Sequence, residues 1–397
     1  MAAETLPKFT VIVPTRARAD VLHAALKTVV AQDYDNLEIL VSDNFSEDDT
    51  AEVVGSFDDP RIRYINTGRR LSMSHNWEFA LSHVAGGWVA IIGDDDGLIP
   101  DAIARTSELV TQSGVSAIRS STCKYKWPGA GGRSGRLTIP MQSGTELRSS
   151  SEWLRRAMAG NASYMDLPML YTGGFVDMDI MHAIRQRTGS FYRSSNPDVY
   201  SAVAIASITE NYLYSREPLA ISGISRHSIG TSHFSRPQRD GEVNPVKHFM
   251  SEPNIPFHSD IPVCSDGTIP RSGQVILLES YLQSASLRGP APNNLHKRQL
   301  EIIAAEKSGK DKDLKKWMLD YSLQHGVDFA SALRRGFVRR MCKAFIETPF
   351  SLTRRWRMTK LRGEKYDIFD VHAASNATSK YLGARGQRQE HSKKSLV

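Results

Sequence analysis

Short apolar, β-branched runs alternate with amphipathic stretches over the first hundred residues. Phe9–Pro14 (FTVIVP) reads as a buried strand. Asp20 then caps a helix that carries Leu22, Leu26, Val29 and Val30 on one face. Leu37–Val41 is a second strand, and Glu47-Asp48-Asp49 open a second helix with acids at its positive end. Arg61–Ile65 reads as a third strand, Asn76–Val84 as a helix and Trp88–Ile92 as a fourth strand, which runs into Gly93-Asp94-Asp95-Asp96. This alternation predicts an α/β fold with a Rossmann-like, mostly parallel sheet flanked by helices. Ligands of such sheets bind beyond the carboxyl ends of the strands.

The pattern is mixed from 115 to 235. Trp127–Arg136 is a Gly-rich loop, Glu152–Met158 a short helix and Val199–Leu213 a longer one. Pro237–Pro262 reads as a linker or wrapping arm. Helices are expected at 273–288, 295–307, 313–325 and 331–347, and the polar last two dozen residues are expected to be disordered. The expected organisation is therefore a domain over 1–235 whose halves meet near 115, a linker over 236–270, a mainly helical basic extension over 271–372 and a tail over 373–397.

Composition narrows this little: 40% of the 397 residues are hydrophobic and 23% charged, as in ordinary soluble chains. Neither a secretory leader nor a spanning segment is expected. Charge distribution says more. The net +7 combines residues 331–397, with 16 Lys+Arg against 5 Asp+Glu, and residues 1–330, with 34 against 38. No RNA-binding motif accompanies the basic tail, so nucleic acid is not the expected partner. In the 331–347 helix Leu333, Phe337, Met341, Ala344 and Phe345 share one face, with Arg335, Arg339, Arg340 and Lys343 on the other. Such a segment, continued to 362, fits an anionic membrane surface or a helix packed on the body with a solvated basic face. Cys123, Cys264 and Cys342 are too few and too scattered for a disulfide framework or thiolate zinc site, so a reducing compartment is the default.

The chemistry gathers at strand ends. Pro14-Thr15-Arg16 follows the first strand, Ser42-Asp43-Asn44 the second and the Asp triplet the fourth. Adjacent carboxylates after a buried strand want a counter-charge, which a hard Mn²⁺ or Mg²⁺ shared with substrate phosphates supplies; an acidic turn is the alternative. Asp43 can accept from a base or ribose, or close an Asx turn. No Gly-rich dinucleotide fingerprint or P-loop is in phase.

FTVIVPTRAR, AQDYDNLEILVSDNFSEDDT and GWVAIIGDDDGLIPDAI together resemble glycosyltransferase family 2, the inverting nucleotide-sugar enzymes of GT-A fold, from about Phe9 to His233. The resemblance implies an NDP-sugar donor (a UDP-sugar first), a divalent metal and a saccharide or lipid-linked saccharide acceptor. It also implies work in the cytoplasm, with the tail at the inner face of the membrane. Pro14, Thr15, Arg16, Asp43 and Asp94 then fall on the donor nucleotide, and Asp95, Asp96 and His227 near the metal, the phase of the triplet being open by one residue. The usual Arg-Asn pair is His75-Asn76 here, so Arg69, Arg70 and Asn76 are the candidate diphosphate contacts, two surface arginines being the other reading. Asp198 in SSNPDVY matches the catalytic base; it also suits an N-cap of the helix that follows. His227 is equally a solvated loop histidine. Two other functions remain open at this stage, a sugar-nucleotide nucleotidyltransferase and a non-catalytic nucleotide-sugar-binding scaffold. PTRARAD lacks the Gly-rich loop that the former wants.

Overall fold

The computed structural model describes residues 6–130, 135–227, 252–270, 272–306, 311–355 and 358–394, with the backbone alone for 344–355 and 385–394. Among the described residues an eleven-stranded sheet forms the centre. Its parallel half is β3 (Ile62–Asn66), β2 (Leu37–Asp43), β1 (Phe9–Thr15) and β4 (Trp88–Ile91), in that spatial order. β1 is buried along its whole length, because helices cover both faces. Alternate residues serve the two sides: Val11 and Val13 pack with Leu22 and Leu26 of α1 (Ala19–Val30), whereas Ile12 packs with Trp77 and Leu81 of α3 (Met73–Ser82). Between these helices α2 (Thr50–Gly55) links β2 to β3.

Past β4 come β5 (Gly97–Leu98), α4 (Ala102–Ser113) and β6 (Ala117–Lys126), then β7 (Arg136–Pro140), β8 (Thr145–Ser149) and α5 (Ser150–Met158). β9 (Gly174–Asp177) lies antiparallel between β4 and β6, and α6 (Met178–Thr188) and α7 (Pro197–Ile208) follow. Helix was expected through Leu213, but α7 stops at Ile208 because Thr209 turns extended. Asn211–Leu213 instead begin β10 (Asn211–Ile224), which pairs with β8, β6 and β5. α8 (Gly273–Gln283), α9 (Leu295–Ala305) and α10 (Lys312–Gln324) form a helical layer whose Leu278, Ile303 and Trp317 share a core with Val203 and Ala206 of α7.

The extension is less purely helical than its sequence suggests. After α11 (Phe329–Arg355), β11 (Met358–Arg362) joins the sheet on β7. The tail expected to be disordered is α12 (Val371–Lys394), which lies against α1 and β5. Val371, Ala374, Ser375 and Thr378 are buried at i, i+3, i+4 and i+7, and Ser375 Oγ donates to Leu98 O at 2.6 Å. A stripe of small side chains reads as polar in composition yet packs closely. Of the expected Gly-rich loop 131–134, and of the expected arm 237–251, nothing lies within the described residues.

Candidate functional site

β1 and β4 end side by side, so their loops meet. Arg18 donates through Nη1 to Asp94 Oδ1 at 2.9 Å and through Nη2 to His227 O at 2.8 Å, while Thr15 Oγ1 donates to Asp94 Oδ2 at 3.0 Å. Burial disfavours the Arg18 charge, but the Asp94 and Asp95 fields outweigh it and raise its pKa. Ala17 between Arg16 and Arg18 sits at φ 50°, a left-handed strain of the kind found at working loops.

Asp94, Asp95 and Asp96 are all buried. Asp96 Oδ1 accepts from Gly223 N–H at 2.6 Å, and Oδ2 accepts from Gly93 N–H at 2.9 Å and from the Thr172 hydroxyl. Burial and the neighbouring Asp95 push its pKa up to about 7. Burial likewise raises Asp94, against the pull of Arg18. Asp95 is clamped by β10 and the loop after β6: its carbonyl accepts from Trp127 Nε1 at 3.0 Å and its Oδ2 from Ser225 Oγ at 2.6 Å. Asp96 thus ties the loop after β4 to β10 and to the turn before β9. The His227 ring faces Asp20 (Nε2 to Oδ2, 3.0 Å), not the triplet.

Other expected donor contacts divide. Both Asp43 oxygens are engaged, Oδ1 by Ser46 N and Oγ and Oδ2 by Tyr64 Oη and Asn66 Nδ2, so this carboxylate holds its own turn. Asn76 Oδ1 accepts from Ser42 Oγ at 2.9 Å inside the sheet–helix seam, and Arg69 is exposed. Pro14 is buried within β1. Arg16 and Arg70 converge on Glu252.

Asp198 follows Pro197 in the first turn of α7, inside the helix and not at its cap. Burial raises its pKa, moderated by the N–H groups of Val199 and Asp198. Its charge reaches Tyr164, Tyr171 and Tyr192. Tyr171 also hydrogen-bonds Asp96, feels Asp95, and stacks on Trp77 with ring centroids 5.2 Å apart. A buried arginine fixes its loop: Arg119 of β6 donates to Met165 O at 2.8 Å and Thr172 O at 2.6 Å. Tyr171, Thr172, Arg119, Trp127 and Ser225 were not expected at the site. Trp127 stood at the start of the expected Gly-rich loop.

The donor set suits a hard divalent ion held by few protein atoms. Three buried carboxylates stand together, Arg18 pairs with Asp94, and burial with the neighbouring Asp95 raises the Asp96 pKa. Among the described residues no group of three His, Cys, Asp or Glu forms a metal cage. Mg²⁺-type sites use one or two carboxylates plus substrate phosphates, which Asp95 could provide.

Residues 10–160 match the family model described as Glycosyl transferase family 2. A GalNAc(5)-diNAcBac-PP-undecaprenol beta-1,3-glucosyltransferase of Campylobacter jejuni is 39% identical over 102 residues, 25% of this chain and 33% of that protein. Succinoglycan biosynthesis protein ExoO of Rhizobium meliloti is 28% identical over 113 residues, 28% and 32% of the two chains. The chain thus spans about a third of the length of these relatives. Among solved structures, Staphylococcus aureus TarS 1-349 in complex with UDP-GlcNAc aligns with TM-score 0.47 and 11% identity over 82% of this chain and 90% of that one. The family match and the sheet architecture agree with the GT-A α/β class expected from the sequence.

Proposed function

We propose that this chain, whose residues 10–160 are a glycosyl transferase family 2 domain, moves a sugar with inversion from a UDP-sugar to an acceptor hydroxyl in building a polysaccharide or lipid-linked glycan. One observation carries the reading: Tyr171 hydrogen-bonds Asp96 and stands in the fields of both Asp95 and Asp198, so one side chain links the strand-end carboxylates to a separate carboxylate suited to the acceptor. Asp198, made more basic by burial, takes the acceptor proton as the acceptor oxygen bonds to the anomeric carbon and the bond to the diphosphate breaks. Asp95 is the residue to hold Mn²⁺ or Mg²⁺, whose charge would steady the leaving diphosphate. Thr15 and Arg18 hold Asp94 beside it, and Tyr171 positions the sugar between the two carboxylates. The Campylobacter relative, named for transfer to a PP-undecaprenol saccharide, supports a lipid-linked acceptor.

The same reading places the enzyme on an anionic membrane through α11. Among the described residues no helix is long and apolar enough to cross a membrane. Phe337, Val338 and Met341 nevertheless project from α11 at 54%, 59% and 44% exposure, while Arg335, Arg339 and Lys343 reach back to Glu301, Ala159 and Gly160. The helix packs through Ala332, Leu333 and Gly336, so Phe337, Val338 and Met341 form a separate outward stripe.

A panel of UDP-sugars titrated with Mn²⁺ and with EDTA tests the function. We expect metal-dependent UDP-sugar binding that Asp95→Asn reduces at least about tenfold. Failure to bind any nucleotide with or without metal removes the enzyme reading.

A further inference from the structure

Two arginines of the strand-end loops already hold an anion of the protein's own. Glu252, with its side chain 6% exposed, pairs with Arg16 Nη1 and lies 3.5 Å from Arg70 Nε. Arg16 leaves β1 and Arg70 precedes α3, so the guanidiniums come from two different strand-end loops. A carboxylate held between them presents planar, charged oxygens to the forks that bind phosphate equally well.

Glu252 reaches the cleft from outside the sheet. The arm behind it is fastened to the helical layer: Gln283 Nε2 donates to Pro256 O at 2.8 Å, Gln324 Nε2 to Ser259 O at 3.0 Å and Trp317 Nε1 to Pro262 O at 2.5 Å. Ile255 and Ile261 pack into the cores beneath. The contact is also imperfect. Among the described residues Glu252 Oε2 has no hydrogen-bond partner although it is buried, and Arg16 is crowded by Arg70 and Arg18. A singly charged, half-satisfied carboxylate is a weaker occupant than a diphosphate, which brings more charge and more acceptor oxygens.

We infer that Arg16 and Arg70 form an anion subsite for the nucleotide phosphates of the donor, and that Glu252 fills it until the donor displaces it. The inference rests on reading this cleft as the donor site. Donor entry then frees the leading end of the arm, while the anchors at Pro256, Ser259 and Pro262 stay in place. The helical layer is thereby coupled to nucleotide binding through one side chain.

The test uses the full chain with UDP and Mn²⁺ in a calorimeter. Glu252→Gln should bind UDP about tenfold more tightly than wild type, the size of one charge-assisted contact no longer competing. Arg16→Gln should bind more weakly, and adding Glu252→Gln to it should restore less than the tenfold gained in the wild-type background. In the wild-type chain, saturating UDP should speed amide exchange over 252–256, a readout that needs no variant. Equal or weaker UDP binding by Glu252→Gln overturns the displacement, as does unchanged or slowed exchange over 252–256. Wild-type affinity in Arg16→Gln overturns the subsite itself. In each of these cases UDP still binds and the donor reading stands. Absence of UDP and GDP binding in wild type and every variant removes the donor reading instead.

Discussion

Asp198 shows how one residue's surroundings choose between two roles for it. It lies in the first turn of α7, held by the N–H groups of Val199 and Asp198, yet burial outweighs them and raises its pKa, and its charge reaches Tyr164, Tyr171 and Tyr192. Asp198→Asn keeps the shape and removes the base, so kcat should fall about 10²- to 10⁴-fold with UDP affinity unchanged. Retained turnover would move the base elsewhere. A second buried acid acts on stability. Burial raises Glu279 from 4.5 to about 7, opposed by hydrogen bonds from Ser194, Gln283 and the His258 backbone. Below pH 4.5 the folded and unfolded chains both hold this proton; as pH rises through about 7 the unfolded chain has released it and the fold has had to follow. The stability contribution is therefore intact in acid and lost toward alkaline pH. Glu279→Gln should raise Tm at pH 8 by the equivalent of about 3 kcal/mol and by almost nothing at pH 4.5, read from thermal melts across that range. A constant offset at both pH values would assign the effect to packing.

Among the elements, β10 decides whether the Asp loop has a shape at all. Gly223 passes so close that a Cβ there would fall 1.7 Å from Asp95 O, and its N–H holds Asp96. Gly223→Ala should cost about 3 kcal/mol or more and abolish UDP binding, whereas Gly189→Ala, with open space around it and φ 82°, should cost about 1 kcal/mol and leave binding alone. Urea melts with UDP titration on both variants compare them, and equal effects would refute the placement of β10. The parallel half of this scaffold was legible in the sequence, because a buried parallel strand writes a continuous apolar run such as FTVIVP or WVAII, and the Asp triplet stood at the end of one. β10 was not, since Asn211-Tyr212-Leu213 reads as a continuation of the helix until β6 and β8 pair with it. The supporting side chains were hidden for a related reason. Arg119 meets Thr172 across 53 residues and Ser225 meets Asp95 across 130, separations that no local pattern records. Thr15, Arg16 and Asp95 announced themselves by following strands; Glu252 followed nothing recognisable.

At the scale of the whole molecule, the structure changes how the basic extension must be tested. Removing 331–397 would strip β11 from β7 and take Ile368, Val371 and Ala374 out of the core shared with α1, so lost vesicle binding by that form would report unfolding. The cleaner handle is the outward face of α11. Gly336 packs so tightly on α9 that a Cβ would come within 2.7 Å of Ala304 Cβ, and Ala332 is buried beside it, which fixes the rotation of the helix and leaves Phe337, Val338 and Met341 facing away. Serine at these three positions removes apolar area without touching Arg335, Arg339 or Lys343, which stitch α11 to the body. If the face enters a membrane interface, the full chain should sediment with vesicles rich in phosphatidylglycerol and much less with neutral ones, and added salt should weaken the binding. The triple serine variant should lose about tenfold or more in partitioning while keeping its Tm and UDP affinity, because each apolar side chain contributes about 1.5 kcal/mol or more when buried. Equal sedimentation of variant and wild type, or no sedimentation of wild type with either lipid, would show that this exposed stripe serves something other than a lipid surface.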